Sequence, residues 1–107
     1  MKKLFVSVTS DFPPGEARRV GENPAIAVFN IDGDFYAIAD LCTHGAAAMS
    51  DGYIEDDCTV ECPVHNARFC LKTGKALTQP ATIDAETFEV VVEGDEVFVF
   101  ARQGVDS

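Results

Sequence analysis

Two short stretches concentrate the chemistry available to this chain: Cys42-Thr43-His44 and Cys62-Pro63-Val64-His65. They hold both histidines and two of the four cysteines. Thiolate and imidazole bind iron or zinc with useful affinity near neutral pH, thiolate being the softer ligand. A lone histidine would read as a hydrogen-bonded core or surface residue. Two of them, each at short spacing from a cysteine, read as metal ligands.

The full spacing is Cys-x-His-x17-Cys-x2-His. Two cysteines and two histidines make a familiar tetrahedral zinc set, so a zinc module is the first rival reading. Zinc sites of that kind pair like ligands, Cys with Cys and His with His. Here each stretch supplies one of each, which suits two neighbouring metal atoms reached from one loop. One iron would then take two thiolates and the other two imidazoles, the ligation of Rieske [2Fe-2S] centres. The Cys-x4-Cys-x2-Cys spacing of plant-type ferredoxins is absent.

Short strands must carry these stretches. Leu4 to Val8 is dense in strand formers and stops at Asp11-Phe12-Pro13-Pro14-Gly15, where a turn is expected. Glu16 to Val20 reads as a second short strand. Ala25 to Ile31 and Phe35 to Ala39 flank Asp32-Gly33-Asp34, a strong hairpin signal, and the second arm runs directly into Asp40-Leu41-Cys42. Tyr53-Ile54 and Thr59-Val60-Glu61 can pair across the acidic tip Glu55-Asp56-Asp57. Ala67 to Leu71 has strand character, Lys72 to Lys75 reads as a turn, and Ala76 to Thr82, with Pro80, as loop. Thr87 to Val92 and Glu96 to Ala101 repeat the hairpin pattern around Glu93-Gly94-Asp95. Only Gly45 to Met49 suggests a turn of helix. The pattern predicts an all-β protein, a sandwich or barrel.

At 107 residues and 47% hydrophobic composition the chain suffices for one domain, 1–107, with one core. The basic Met1-Lys2-Lys3 start precedes too short an apolar run for a secretory signal, Arg18-Arg19 precedes no hydrophobic segment, and no membrane-length apolar run occurs. The expectation is a cytoplasmic protein, in which cysteine more often means metal or redox chemistry than a disulfide. The net charge of −10 disfavours nucleic acid and anionic membranes and favours basic protein surfaces.

At Cys42-Thr43-His44-Gly45 and Cys62-Pro63-Val64-His65-Asn66-Ala67-Arg68-Phe69, with Thr73-Gly74-Lys75-Ala76-Leu77 and Pro80 following, the sequence resembles the Rieske family. Within it the chain is similar to the small ferredoxins of multicomponent aromatic-ring dioxygenases, over essentially its whole length. The resemblance implies the Rieske fold: three antiparallel sheets, with a cluster-binding subdomain at about 40–80 inserted in a β base. It implies one [2Fe-2S] cluster, Cys42 and Cys62 on the inner iron, His44 and His65 on the outer iron, and Pro80 on a third loop over the cluster. Respiratory and photosynthetic Rieske proteins carry an extra disulfide at the positions of Ala47 and Val64, and serine and tyrosine donors at those of Ala67 and Phe69. Alanine and phenylalanine cannot donate. Their presence and the acidic charge both disfavour the reduced state, so the expected potential lies at the low end of the Rieske range, roughly −150 mV.

The implied role is a monomeric one-electron carrier without turnover of its own. It would accept electrons from a flavin-dependent NAD(P)H ferredoxin reductase and pass them to a terminal Rieske oxygenase that dihydroxylates aromatic rings. Three other readings stay open on the residues: a Rieske-like small subunit of assimilatory nitrite reductase, the zinc module, and a thiol-disulfide redox protein using Cys58 or Cys70. Those two cysteines match neither ligand nor disulfide positions of the family and are expected to fill space in the core. Gly45 is a candidate for close approach of backbone N–H groups to the cluster.

Overall fold

The computed structural model of the protein describes residues 2–22, 25–41, 48–55, 57–63, 67–77 and 84–101. In chain order the strands among them are β1 (Lys2–Val8), β2 (Ala17–Val20), β3 (Ile26–Ile31), β4 (Asp34–Ala39), β5 (Tyr53–Glu55), β6 (Thr59–Glu61), β7 (Arg68–Cys70), β8 (Thr87–Phe88), β9 (Val90–Glu93) and β10 (Glu96–Ala101). They form three antiparallel sheets, ordered β1-β10-β9, β2-β3-β4-β8 and β5-β6-β7. Helical structure among the described residues is confined to two 3-10 turns, Thr9–Asp11 and Met49–Asp51.

Strand β3 explains why the chain needs three sheets. Its run Ile26-Ala27-Val28-Phe29 is apolar at every position and fully buried, as a strand covered on both faces must be. Ile26 and Val28 pack with Phe12, Ala37, Val99 and Ala101. Ala27 and Phe29 face the other way, onto Ile38, Met49, Val60, Cys62, Phe69 and Leu71. The first cluster joins β3 to the terminal sheet, the second to the β5-β6-β7 sheet. Each fully buried side chain of this size contributes roughly 1.5–3 kcal/mol of transfer free energy.

The β3–β4 hairpin closes as the sequence predicts. Asp32 and Gly33 have φ of 54° and 95°, the positive values that a two-residue Asp-Gly turn requires. Buried Asn30 fixes this turn to the Pro-Pro-Gly turn: its side-chain amide donates to the Phe12 carbonyl at 2.7 Å and its side-chain oxygen accepts from the Gly33 N–H at 2.8 Å.

Two expectations are corrected. The sheets form neither a sandwich nor a barrel, because β3 buries two separate clusters and the three-residue strands β5, β6 and β7 are too short to wrap either one. The predicted strand Thr87 to Val92 is two strands. Phe88 pairs with Ala37 of β4, whereas Val90 pairs with Val99 of β10. Glu89 is the crossing point, its carbonyl accepting from the Phe100 N–H at 2.9 Å. Phe88 and Val90 both pack against the same cluster, so one apolar pattern serves two sheets. The suggested helical turn at Gly45 to Met49 falls mainly outside the described residues.

Candidate metal centre

Of the four residues expected to bind metal, Cys62 is described, while Cys42, His44 and His65 lie outside the described residues, as do Ala47, Val64, Gly45 and Pro80. What the structure gives is the frame from which those stretches depart.

The first stretch leaves from the end of β4 and returns at Ala48, where Leu41 and Ala48 form an isolated antiparallel bridge. Asp40 clamps this entrance. It is buried at 3% exposure. Its carbonyl accepts from the Met49 N–H at 2.5 Å, its carboxylate oxygen Oδ1 accepts from the Ser50 N–H at 2.8 Å, and its own N–H donates to the Ala25 carbonyl at 2.9 Å. The other carboxylate oxygen, Oδ2, lies 3.4 Å from Arg19 Nε on β2. A buried carboxylate is tolerated here because both oxygens are engaged. Asp40 was read in the sequence only as the end of a strand arm. An acidic residue closing an apolar strand two positions before a candidate ligand cysteine is the signal that could have singled it out.

The second stretch closes between β6 and β7. The Cys62 N–H donates to the Ala67 carbonyl at 2.7 Å, and Val60 pairs with Phe69 two residues further back. Cys62 is fully buried in the cluster that contains Phe29, Val60, Ala67 and Phe69. Ala67 and Phe69, the expected positions of missing donors, are also fully buried. Their side chains offer only carbon.

A third stretch, residues 78–83, is bracketed in the same way. The Leu77 N–H donates to the Arg68 carbonyl at 2.8 Å, Ala76 bridges Phe69, and the Ala76 N–H donates to Asp84 Oδ1 at 2.8 Å. Gly74 completes the bracket. Its φ is +77°, it accepts from the Ala85 N–H at 2.6 Å, and a Cβ there would sit 2.0 Å from the Ala85 carbonyl oxygen. Only glycine fits.

The first stretch is therefore tied at its ends to β4 and the second and third to β6 and β7, and the two sheets pack on one apolar cluster that holds Ile38, Val60 and Phe69 together with the buried Cys62. Thiolate and imidazole donors on such loops suit iron or zinc, and a buried sulfur suits a cluster shielded from water. The donor set and the frame fit an iron-sulfur group. Cys58, buried, and Cys70, half-buried, form no disulfide. Cys58 belongs to the same apolar cluster as Cys62, which meets the expectation that it fills the core.

Comparison with known proteins places the frame. The Rieske [2Fe-2S] domain family matches residues 2–89, and the chain belongs to that family. It is 54% identical over 99 residues to the 3-phenylpropionate/cinnamic acid dioxygenase ferredoxin subunit of Shigella flexneri, covering 92% of this chain and 93% of the relative. It superposes on the ferredoxin of carbazole 1,9a-dioxygenase from Nocardioides aromaticivorans with a TM-score of 0.90 at 26% identity, covering 95% of this chain and all of the other. A chain in the complex of reduced oxygenase and oxidized ferredoxin in carbazole 1,9a-dioxygenase matches at 39% identity and a TM-score of 0.86, over 91% of each chain. The three-sheet architecture implied by the sequence resemblance is the one observed. Among the described residues no helix is long and apolar enough to cross a membrane.

Proposed function

We propose that the protein is the ferredoxin component of an aromatic-ring dioxygenase system, a cytoplasmic monomer carrying one electron at a time. It would accept electrons from a flavin-dependent NAD(P)H reductase and deliver them to a terminal Rieske oxygenase. Cys42 and Cys62 hold one iron and His44 and His65 the other, within a cluster-binding subdomain of about residues 40–80 in a single domain 1–107. A bound [2Fe-2S] group supplies reversible one-electron chemistry.

The observation that supports this reading is the shared frame: the two Cys/His stretches are closed by hydrogen bonds onto two sheets that pack on one apolar cluster, in which Cys62 is buried. The chain's own residues then hold and shield. Asp40 and the Cys62–Ala67 hydrogen bond fix the ends of the loops, while Phe29, Val60 and Phe69 keep water from the Cys62 sulfur. Leu41 and Leu77, at 64% and 47% exposure, border the first and third stretches and offer partners an apolar rim. The 54% identity to a dioxygenase ferredoxin subunit favours this system over an assimilatory nitrite reductase.

Visible absorption and EPR of the dithionite-reduced protein test the reading, together with a potentiometric titration. The expected result is a Rieske spectrum and a potential near −150 mV, roughly the low end of the class. Each substitution of Cys42, His44, Cys62 or His65 by alanine removes it. A colourless, EPR-silent protein containing zinc overturns the cluster, and a potential above about zero overturns the role given to Ala67 and Phe69.

A further inference from the structure

An antiparallel sheet with one face in water places polar side chains on that face. The terminal sheet departs from this rule. Leu4, Val6, Val90, Val99 and Ala101 turn inward onto β3, so the alternate positions of β1, β9 and β10 face outward. There the register aligns Phe5 of β1, Phe98 of β10 and Val91 of β9 in one row across the strands, with Phe100 two residues further along β10. Phe5 is 54% exposed, and its ring meets that of Phe98 edge to face at 5.8 Å between centroids. Cross-strand aromatic pairing steadies a sheet, but it asks for no further ring beside the pair. A contiguous apolar patch on a solvent face marks an interaction site.

The charges around the row define what fits it. Toward the β9–β10 turn, Glu93 and Glu96 pair across the strands. On the other side the Glu89 carbonyl accepts from the Phe100 N–H, which puts Glu89 at the register position beside that ring. Lys3 shows how a cation is received here: its ammonium lies 4.4 Å from the centre of the Phe98 ring and 2.7 Å from the Glu93 carboxylate. Glu89 and Glu96 are exposed and form no ion pair among the described residues. Aromatic rings beside two uncommitted carboxylates fit a surface that brings an apolar side chain flanked by lysine or arginine. A second copy of this chain is a poor match, because each copy carries a net charge of −10 and like charges oppose the approach. Strand addition at β1 is disfavoured too, since its register shifts between Phe5 and Ser7, a bulge of the kind that keeps a sheet edge from pairing.

The face also points away from the metal centre. The terminal sheet packs on β3 through one apolar cluster, and Cys62 sits in the other cluster, on the opposite side of β3. A partner on the terminal sheet leaves the Cys/His stretches uncovered. Adding both atoms of O2 to an aromatic ring consumes two electrons and two protons, whereas the carrier brings one electron at a time. Each turnover needs two deliveries, and a carrier kept beside the oxygenase between them acts at a raised effective concentration.

We propose that the outer face of the terminal sheet, centred on Phe5, Phe98 and Phe100 and edged by Glu89 and Glu96, is a second docking surface, which a basic, apolar patch of the terminal oxygenase occupies between the two deliveries. This surface, whose partner rests on the ferredoxin function proposed above, passes no electron. It holds the carrier, while the end of the molecule that bears the Cys/His stretches stays open to the reductase.

The test measures binding of the intact, cluster-loaded protein to its purified terminal oxygenase by isothermal titration at about 0.01 M ionic strength, where charge is little screened. Phe5→Ser should weaken binding by about 10-fold or more. Glu89→Gln combined with Glu96→Gln, which leaves the apolar row intact, should weaken it by about 3- to 10-fold, an effect that disappears at about 0.5 M salt. In both variants the EPR spectrum and the rate of reduction by the reductase should match wild type. The inference is overturned if the Glu89/Glu96 variant binds the oxygenase as wild type does, or if reduction by the reductase falls in step with oxygenase binding. It is overturned equally if sedimentation finds the wild type as a dimer that Phe5→Ser dissociates, since a second copy then covers the face. A protein without a Rieske EPR signal refutes the cluster instead, and the binding comparison, which needs no electron transfer, still decides the docking face.

Discussion

At the scale of single residues, the proposed ligands stand out in the sequence and the residue that closes the first stretch does not. Cysteine and histidine announce themselves by chemistry and spacing. Asp40 does not, because its role arises only when Ser50, Met49, Ala25 and Arg19 converge on it. Asp40→Ala would leave the Ser50 N–H without its acceptor in a buried place and remove the partner of Arg19. A hydrogen bond to a charged group is worth about 1.5–3 kcal/mol. The Arg19 contribution is small, since that side chain is 60% exposed and the pair is screened. The expected loss is therefore about 2 kcal/mol in denaturant unfolding of the loaded protein, with faster bleaching of the visible bands. Asp40→Asn keeps an oxygen for Ser50 and should lose less than half as much. Equal losses in the two variants would mean that the carboxylate charge, not the clamp, matters.

At the scale of elements, hairpins were legible wherever a turn is specified by its own residues. Asp32-Gly33 needs nothing distant to adopt its conformation, and neither does Gly94-Asp95. The division of Thr87 to Val92 was hidden, because alternation records that Phe88 and Val90 point to the core but not which strand each one pairs with. Sandwich and three-sheet folds share the same local pattern for the same reason. Gly33 and Gly74 separate what local sequence can and cannot report. Both have positive φ, 95° and 77°. A Cβ at Gly33 meets nothing within 4 Å, whereas at Gly74 it meets the Ala85 carbonyl oxygen at 2.0 Å. Gly33→Ala should cost only the backbone strain, roughly 1 kcal/mol. Gly74→Ala must also move Ala85, and should cost at least about 2 kcal/mol more, in the range of overpacked sites. Chemical denaturation of the two variants compares them directly. If the Gly74 frame holds the third stretch in place, Gly74→Ala also alters the EPR line shape while Gly33→Ala does not.

At the scale of the whole molecule, charge is the property that sequence reports without any structure, and the fold decides only where it acts. Lys3, Arg18, Arg19 and Arg68 already lie within ion-pair distance of acids of the same chain, at 2.7, 2.8, 3.4 and 3.8 Å. Among the described residues Asp40 is the one buried acid, so the acids there that contribute to the net charge of −10 otherwise face solvent. An acidic carrier meets a basic docking surface faster than diffusion of neutral partners allows, and salt removes the advantage. The Glu55-Asp56-Asp57 segment runs from the last residue of β5 toward β6, and four residues, Cys58 to Glu61, separate its end from Cys62, the part from Cys58 to Cys62 alone spanning about 13 Å at the rise of an extended strand. That exceeds the Debye length of about 10 Å at 0.1 M salt and falls well inside the length of about 30 Å at 0.01 M. Neutralising the segment as Glu55→Gln, Asp56→Asn and Asp57→Asn keeps an acceptor for the Thr59 hydroxyl, which bonds Asp57 at 2.6 Å. Stopped-flow reduction by the reductase should slow by roughly 3- to 10-fold at about 0.01 M ionic strength and by less than about 2-fold at 0.5 M. An unchanged rate at low salt would show that the segment lies away from the encounter surface. A loss that persists at high salt would instead point to damage at the centre itself, which the EPR spectrum of the same sample identifies.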